Sequence, residues 1–473
     1  MLILTKEKPL EKIERMVTTI MQQMKIPGLS LTVVENGKAI YTKGIGARTL
    51  KGNLPATPDT LYGIGSVTKS FTCIAIMQLA EQGKLKIDDP VSKHIDFKIG
   101  KEDKPILIEH LMSHSSGIPN LGIASVLIRR HSFPDLESFV PISSAEDWLM
   151  LANSAQDEIV DEPLKRFFYF NGGYALLGLV IEAVSGMKYT DYINEYILKP
   201  LAMNRSTYLR EEFEKEEDRM TAYATEKGKV KESIHPFDNL IYAAGGLLSS
   251  VKEMENYLQM YLNEGTFKGK QILKPESIKK MMDPMIQGTQ GVFGKVYYCF
   301  GLARTEDFFG ETLIAHGGST AVSSAHLAFI PKKKMGVVIE GNVGNAEGGF
   351  IAQAILASLL GKNPSEDHPA LRLELKLRQL VGSYQTFKGI NKAEIVKIGQ
   401  QLYFKDPEQD CPSFPIIPQT DAMKNYKFWM PAGITKFPCE FIVDSKTGKT
   451  SFIFERNVYH KIGPIKPKKK EKK

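Results

Sequence analysis

The sequence predicts an α+β chain: an antiparallel sheet flanked by helices, a helical lobe beside it, and a small antiparallel β-barrel domain after both. Three observations predict it. Strand-like runs occur near the start (Leu29–Val34 and Lys38–Lys43) and return only after residue 311. The stretch between them, from about residue 84 to 290, is mostly helical in pattern, so one sheet is assembled from two distant segments. After Pro364 and Pro369 the pattern changes to short alternating strands, which reads as a separate β unit.

Taken in order, Leu10, Ile13, Met16, Val17, Ile20, Met21 and Met24 recur at helical spacing and predict an opening amphipathic helix, stopped by Pro27-Gly28. Asn36-Gly37 between the first two strand runs is a strong hairpin signal. From Val67 to Gln82 the chain is apolar on nearly every side, the signature of a fully buried helix, with Gly83 as its C-terminal cap. Thr312–Ala315, Ala325–Ile330 and Met335–Ile339 read as strands, the last two joined by a turn at Pro331–Lys334. Phe350–Leu360 is a second apolar helix. Beyond the prolines a short amphipathic stretch, Leu371–Leu380, leads into the strands of the β domain, Glu394–Ile398, Gln401–Phe404, Phe441–Val443 and Thr450–Phe454. The expected divisions are 1–362, a linker at 363–376, a β domain at 377–465 and a basic tail at 466–473.

Composition excludes several functions. The formal charge of the 473-residue chain is +7, but Lys461–Lys473 alone carries +6. The body therefore lacks the basic face that a nucleic-acid binder needs. Four scattered cysteines without C-x-x-C spacing form neither a disulfide scaffold nor a zinc site. Cys411 and Cys439 are read as free thiols, although the two could pair. No apolar run is long enough to span a membrane, and the apolar stretch at the start is too short for a signal peptide. The expectation is a cytoplasmic protein, with no metal and no cofactor.

Three short motifs carry chemistry. Ser66-Val67-Thr68-Lys69 is an S-x-x-K sequence at the start of the buried helix. Residues i and i+3 share a helix face, so the lysine amine can reach the serine hydroxyl, which needs a base to become a nucleophile. The bare pattern recurs at Ser185, Ser249 and Ser277, but only Ser66 follows a Gly-Ile-Gly turn into a wholly apolar helix. Tyr169-Phe170-Asn171 is a Y-x-N sequence whose Asn171-Gly172-Gly173 reads as a loop before a helix. A lysine ammonium nearby would lower the tyrosine pKa enough to make it a base. Other Y-x-N sequences, at Tyr192 and Tyr261, lie inside amphipathic helical patterns and read as core. The third motif is His316-Gly317-Gly318-Ser319, at the end of a sheet strand, where the glycines leave room for a substrate along the backbone. A literal Lys446-Thr447-Gly448 is rejected, because it falls in a hairpin turn of the β domain.

In order and spacing these motifs resemble those of the β-lactamase-related serine hydrolases (the CubicO-type group of class C β-lactamases, penicillin-binding-protein-like D-peptidases and esterases). LMSHSSGIP at 111–119, NGGYALLG at 171–178 and AAGGLLS at 243–249 resemble further landmarks. The resemblance covers roughly residues 8–362 and implies a β-lactamase/transpeptidase-like fold. It further implies Ser66 as nucleophile, Lys69 and Tyr169 as the proton-transfer pair, and Asn171 as a holder of substrate and Lys69. The backbone N–H groups of Ser66 and Ser319 would form an oxyanion hole beside Gly317 and Gly318. His316 stands where lactamases have lysine, which disfavours binding of a penicillin-type carboxylate. The expected activity is hydrolysis of an ester or short peptide, D-amino-acid peptides included. A true β-lactamase and a catalytically silent scaffold are the alternatives. The C-terminal part resembles the lipocalin-like barrel appended to some members. Because it offers no catalytic constellation of its own, it is expected to restrict access to the cleft or to mediate homo-oligomer assembly.

Overall fold

The computed structural model describes residues 9–132, 142–226, 228–407, 413–420, 425–444 and 447–465. The chain divides into two compact units, Met1–Leu360 and Gly361–Lys473.

The first unit opens with helix α1 (Pro9–Met24), followed by strands β1 (Gly28–Glu35), β2 (Lys38–Thr49) and the short β3 (Leu54–Pro55). Helix α2 (Thr68–Glu81), α3 (Asn171–Ser185) and α4 (Val251–Leu262) belong to the helical lobe. Strands β4 (Ile286–Gly291), β5 (Gly294–Tyr298), β6 (Ala303–Phe308), β7 (Glu311–Ser319), β8 (Ser324–Ile330) and β9 (Met335–Gly341) precede helix α5 (Gly348–Leu359). All nine strands form one sheet in the order β4-β5-β6-β7-β8-β9-β1-β2-β3. The antiparallel pairing of β1 with β9, Leu31 opposite Ile339, joins the two ends of the unit.

Strand β1 is buried on both faces because helices cover both. Leu29, Leu31 and Val33 pack with Ile13 and Val17 of α1 and Ile351 and Ile355 of α5. On the other face, Val34 joins the core of the helical lobe. Strands β4–β6, absent from the sequence reading, extend the sheet at one edge. Much of their surface is exposed, so they lack the apolar alternation that betrays a strand.

Helix α2 runs through the helical lobe with every residue from Thr68 to Leu79 buried. It ends as expected: Gly83 N–H bonds to Ala80 O and Lys84 N–H to Leu79 O, each at 3.0 Å, with Gly83 in the left-handed region. No described helix is long and apolar enough to cross a membrane.

The second unit is a closed eight-stranded barrel. Tyr384, Ile395, Leu402, Ile416, Phe428, Met430, Phe441 and Phe452 fill its interior. Residues 363–376, read as a linker, are instead largely helical. A short helix Pro364–Asp367 precedes helix α6 (Pro369–Leu380), each starting on a proline suited to the first helical position. Leu373, Leu377 and Leu380 of α6 pack into the barrel core. Thr447 and Gly448 lie in a strand-connecting turn, where Thr447 N–H bonds Asp444 Oδ1 at 3.1 Å. Lys446, Cys411 and residues 466–473 lie outside the described residues. Cys73, Cys299 and Cys439 are buried free thiols.

Candidate active site

Ser66 sits in a single 3-10 turn, Gly65–Val67, that runs directly into α2. The chain entering this turn is held from the helical lobe. Tyr62 and Gly63 pair with Ser249 and Leu248, and Ile64 N–H bonds Leu247 O at 3.0 Å. Strand β6 accompanies β7 only as far as Ala315, which leaves the edge of residues 316–319 open toward the Ser66 turn. Two glycines permit the approach. A Cβ on Gly65, whose φ is +51°, would lie 2.5 Å from Ser319 N. One on Gly318 would lie 1.9 Å from Ile64 O and 2.8 Å from Ser66 N. Any side chain at either position would push the strand away from the serine.

Lys69 is fully buried. Its Nζ donates to Ser66 Oγ at 3.0 Å, Asn171 Oδ1 at 2.8 Å and Ala244 O at 2.6 Å. It also lies 4.9 Å from the ring centre of Tyr169 and 5.2 Å from that of Tyr174. Burial strips the ammonium of water and lowers its pKa from 10.5 to about 7, against a weak opposing pull from Cys73. Near neutrality the amine is therefore free to lose its proton. Two N–H groups then remain for Asn171 and Ala244, and the lone pair faces Ser66.

Tyr169 reverses one expectation. Burial pushes the pKa of its phenol well above the usual range rather than below it, and outweighs the opposing pull of the nearby Ser66 side chain. The same desolvation that acts on the phenol also discharges Lys69, so no persistent ammonium stands beside it. Aromatic rings surround Tyr169, with His114 at 4.2 Å, Tyr298 at 6.1 Å and His316 at 6.3 Å between centroids. Asn171, expected in a loop, is the first residue of α3, with Phe170 as the extended residue before it.

His316 is buried on β7 and hydrogen-bonded at both ring nitrogens. Nδ1–H donates to Gly317 O at 2.7 Å, because a carbonyl can only accept. Nε2 is then the acceptor, and Tyr298 O–H donates to it at 2.9 Å. Burial, with Lys69 adding to it, lowers the His316 pKa to about 3. The position therefore carries no positive charge at neutral pH.

The structure thus brings Ser66, Lys69, Tyr169, Asn171 and the 316–319 strand edge to one place. The other S-x-x-K serines lie elsewhere: Ser249 is buried against Ser206 Oγ at 2.8 Å, Ser185 ends α3, and Ser277 is inside a surface helix. Tyr192 and Tyr261 are core residues. Sequence reasoning missed Tyr298, His114 and the Ala244 carbonyl. His114 and Ala244 lie within the LMSHSSGIP and AAGGLLS stretches, whereas Tyr298 sits on a strand that had left no trace in the pattern.

Residues 13–360 match the family model described as Beta-lactamase, and residues 364–460 match that described as Pab87 octamerisation domain. Protein flp of Staphylococcus aureus (strain MW2) is 28% identical over 341 residues, 70% of this chain and 63% of that protein. The chain thus spans less than two thirds of that relative. The putative penicillin-binding protein PbpX of Bacillus subtilis (strain 168) is 27% identical over 302 residues, 62% of this chain and 69% of that protein. Among solved structures, the octameric penicillin-binding protein homologue from Pyrococcus abyssi superposes with a TM-score of 0.87 at 36% identity. That match covers 96% of this chain and 100% of the other. A class C beta-lactamase, 20% identical over 74% of this chain and 96% of its own, shares the fold with a TM-score of 0.62. On the match of residues 13–360, the chain belongs to the beta-lactamase family, and a Pab87 octamerisation domain follows.

Proposed function

We propose that this chain is a serine hydrolase that works through an acyl-enzyme at Ser66, on esters or small peptides, D-amino-acid peptides among them. One observation carries the reading: a fully buried Lys69 amine, 3.0 Å from Ser66 Oγ, with its pKa brought to about 7. Neutral Lys69 takes the proton as Oγ attacks the substrate carbonyl. The negative charge that develops on the carbonyl oxygen is met by the N–H groups of Ser66 and Ser319. Each such donor is typically worth about 2.7–4 kcal/mol of transition-state stabilisation. Tyr169, protonated at neutral pH and close to Ser66, relays a proton to the leaving group and is recharged from Lys69. Water then enters, and the same groups, run in reverse, release the acid and restore Ser66.

The neutral His316–Tyr298 pair supports an ester or peptide over a penicillin, since no cation waits at that position for a carboxylate. A fluorophosphonate probe should label the wild-type chain and not Ser66→Ala, while nitrocefin is turned over slowly or not at all. Labelling that persists in Ser66→Ala removes the nucleophile assignment. Fast nitrocefin turnover makes the chain a β-lactamase, and no labelling at all makes it a silent scaffold. The barrel unit, by its likeness to the octamerisation domain, is proposed to assemble copies of this chain into a homo-oligomer. Light scattering on the full chain and on a chain ending at Gly361 tests this: only the full chain should exceed a monomer's mass.

A further inference from the structure

We propose that His114 is a positioning residue, a clamp that holds the Tyr169 segment in register against Ser66. The proposal rests on the Ser66 hydrolase reading and assigns a role to a residue outside the three motifs. Tyr169 precedes α3 on a stretch, Phe167–Phe170, that belongs to none of the described strands. In an extended chain the N–H groups of residues i and i+2 point to the same side. Those flanking Tyr169 both go to His114: Phe168 N–H bonds its carbonyl oxygen at 3.0 Å, and Phe170 N–H bonds its Nδ1 at 3.0 Å. One residue thereby supplies both acceptors that a partner strand would supply with two.

Offering a carbonyl and a ring nitrogen to the same edge requires an unusual backbone, and His114 has a φ of +57°. The fold extends the rail on the same side, with Leu164 N–H on Ser115 O at 2.8 Å and Val160 N–H on Gly117 O at 3.1 Å. The His114 ring then lies 4.2 Å from the Tyr169 ring, tilted by 40°, and 4.7 Å from Tyr298. It therefore fixes both where the Tyr169 backbone runs and where its ring leans. Because Nδ1 accepts, the neutral imidazole carries its proton on Nε2, which finds no hydrogen-bonding partner among the described residues. Protonating Nδ1 would set two donors face to face and open the clamp. Burial opposes that protonation, and any positive charge on Lys69 or His316 would oppose it further.

Two substitutions separate the acceptor from the backbone. Asparagine tolerates positive φ and places an oxygen where Nδ1 stands, whereas glycine keeps the backbone and removes the acceptor. Fluorophosphonate labelling of Ser66 and turnover of a small ester are measured for His114→Asn, His114→Gly, Tyr169→Phe and the His114→Gly/Tyr169→Phe pair. Each is paired with a melting curve. His114→Gly should lose on the order of 10²-fold in kcat, the scale of a misplaced reacting group, with little change in KM. His114→Asn should recover most of that, to within about tenfold of wild type. Adding Tyr169→Phe to His114→Gly should cost little more, because both act on the same proton transfer. Equal rates for His114→Asn and His114→Gly, or additive losses in the pair, overturn the proposal. A measurement on the unaltered chain needs no variant to fold: imidazole 15N shifts should show His114 as the Nε2–H tautomer at pH 7.5, and an Nδ1–H tautomer overturns the clamp. Failure of the wild type to label at all refutes the hydrolase reading instead, and the tautomer still decides the clamp.

Discussion

The pH dependence of Ser66 acylation tests the site at its most unusual feature, the discharged lysine. With a pKa of about 7, about three-quarters of Lys69 is neutral at pH 7.5. An ordinary lysine at 10.5 would be neutral in only about one molecule in a thousand at that pH. Burial therefore raises the population of competent base by nearly three orders of magnitude. The other ionisable groups at the site stay silent across the assay range. His114 and His316 are held well below their ordinary value by burial, and Tyr169 and Tyr298 well above theirs. The second-order rate of labelling by a neutral fluorophosphonate, measured from pH 5 to 9.5, should thus show one limb. It should rise tenfold per pH unit at the acid end, reach half its maximum near pH 7, and be flat above pH 8.5. Lys69→Arg keeps a charge but cannot give it up at any of these pH values, so its rate should be low and nearly level. A wild-type rate that still climbs tenfold per unit through pH 9 would refute a Lys69 base and point to a group with an unshifted or raised pKa.

The same shift has a consequence for stability. The folded value of Lys69 lies below the unfolded one, so between about pH 7 and 10.5 the unfolded chain holds a proton that the folded chain has released. The Lys69 contribution to stability then rises with pH in that window by about 1.36 kcal/mol per unit, about 5 kcal/mol in all, so wild type should gain by that amount relative to Lys69→Met between about pH 7 and 10.5. Urea titrations of both proteins at several pH values check it, and parallel pH dependences would contradict a buried, neutral Lys69. Tyr298→Phe leaves His316 Nε2 buried without its donor and should destabilise the chain by about 1–3 kcal/mol. If Tyr298→Phe melts like wild type, the Tyr298–His316 bond carries no weight.

What the sequence determined by itself was local. Three-residue spacing puts Ser66 and Lys69 on one helix face, and an unbroken apolar run requires α2 to be buried, wherever the rest of the chain goes. The Asn36-Gly37 turn sets the hairpin, and the 331–334 turn sets β8 against β9, because each joins neighbours. The three motifs were legible as motifs for the same reason, since each occupies a few consecutive residues. The amphipathic stretch Leu371–Leu380 was legible too, but the prolines before it signal a break equally well as the first residue of a helix, and packing of Leu377 and Leu380 in the barrel unit decides between them. Strands β4–β6 failed because an edge of the sheet needs little apolar surface. Everything that makes the site reactive is tertiary. Lys69 loses its charge because segments about a hundred residues or more away, those of Tyr169, Tyr174 and Ala244 among them, close over it and bury it from water. Tyr169 was expected to be acidified by that lysine and instead keeps its proton, because a buried cavity acts on both groups at once and favours the neutral form of each. A pattern of residue types cannot encode that outcome, since desolvation is a property of the volume around a group and not of its neighbours in the chain.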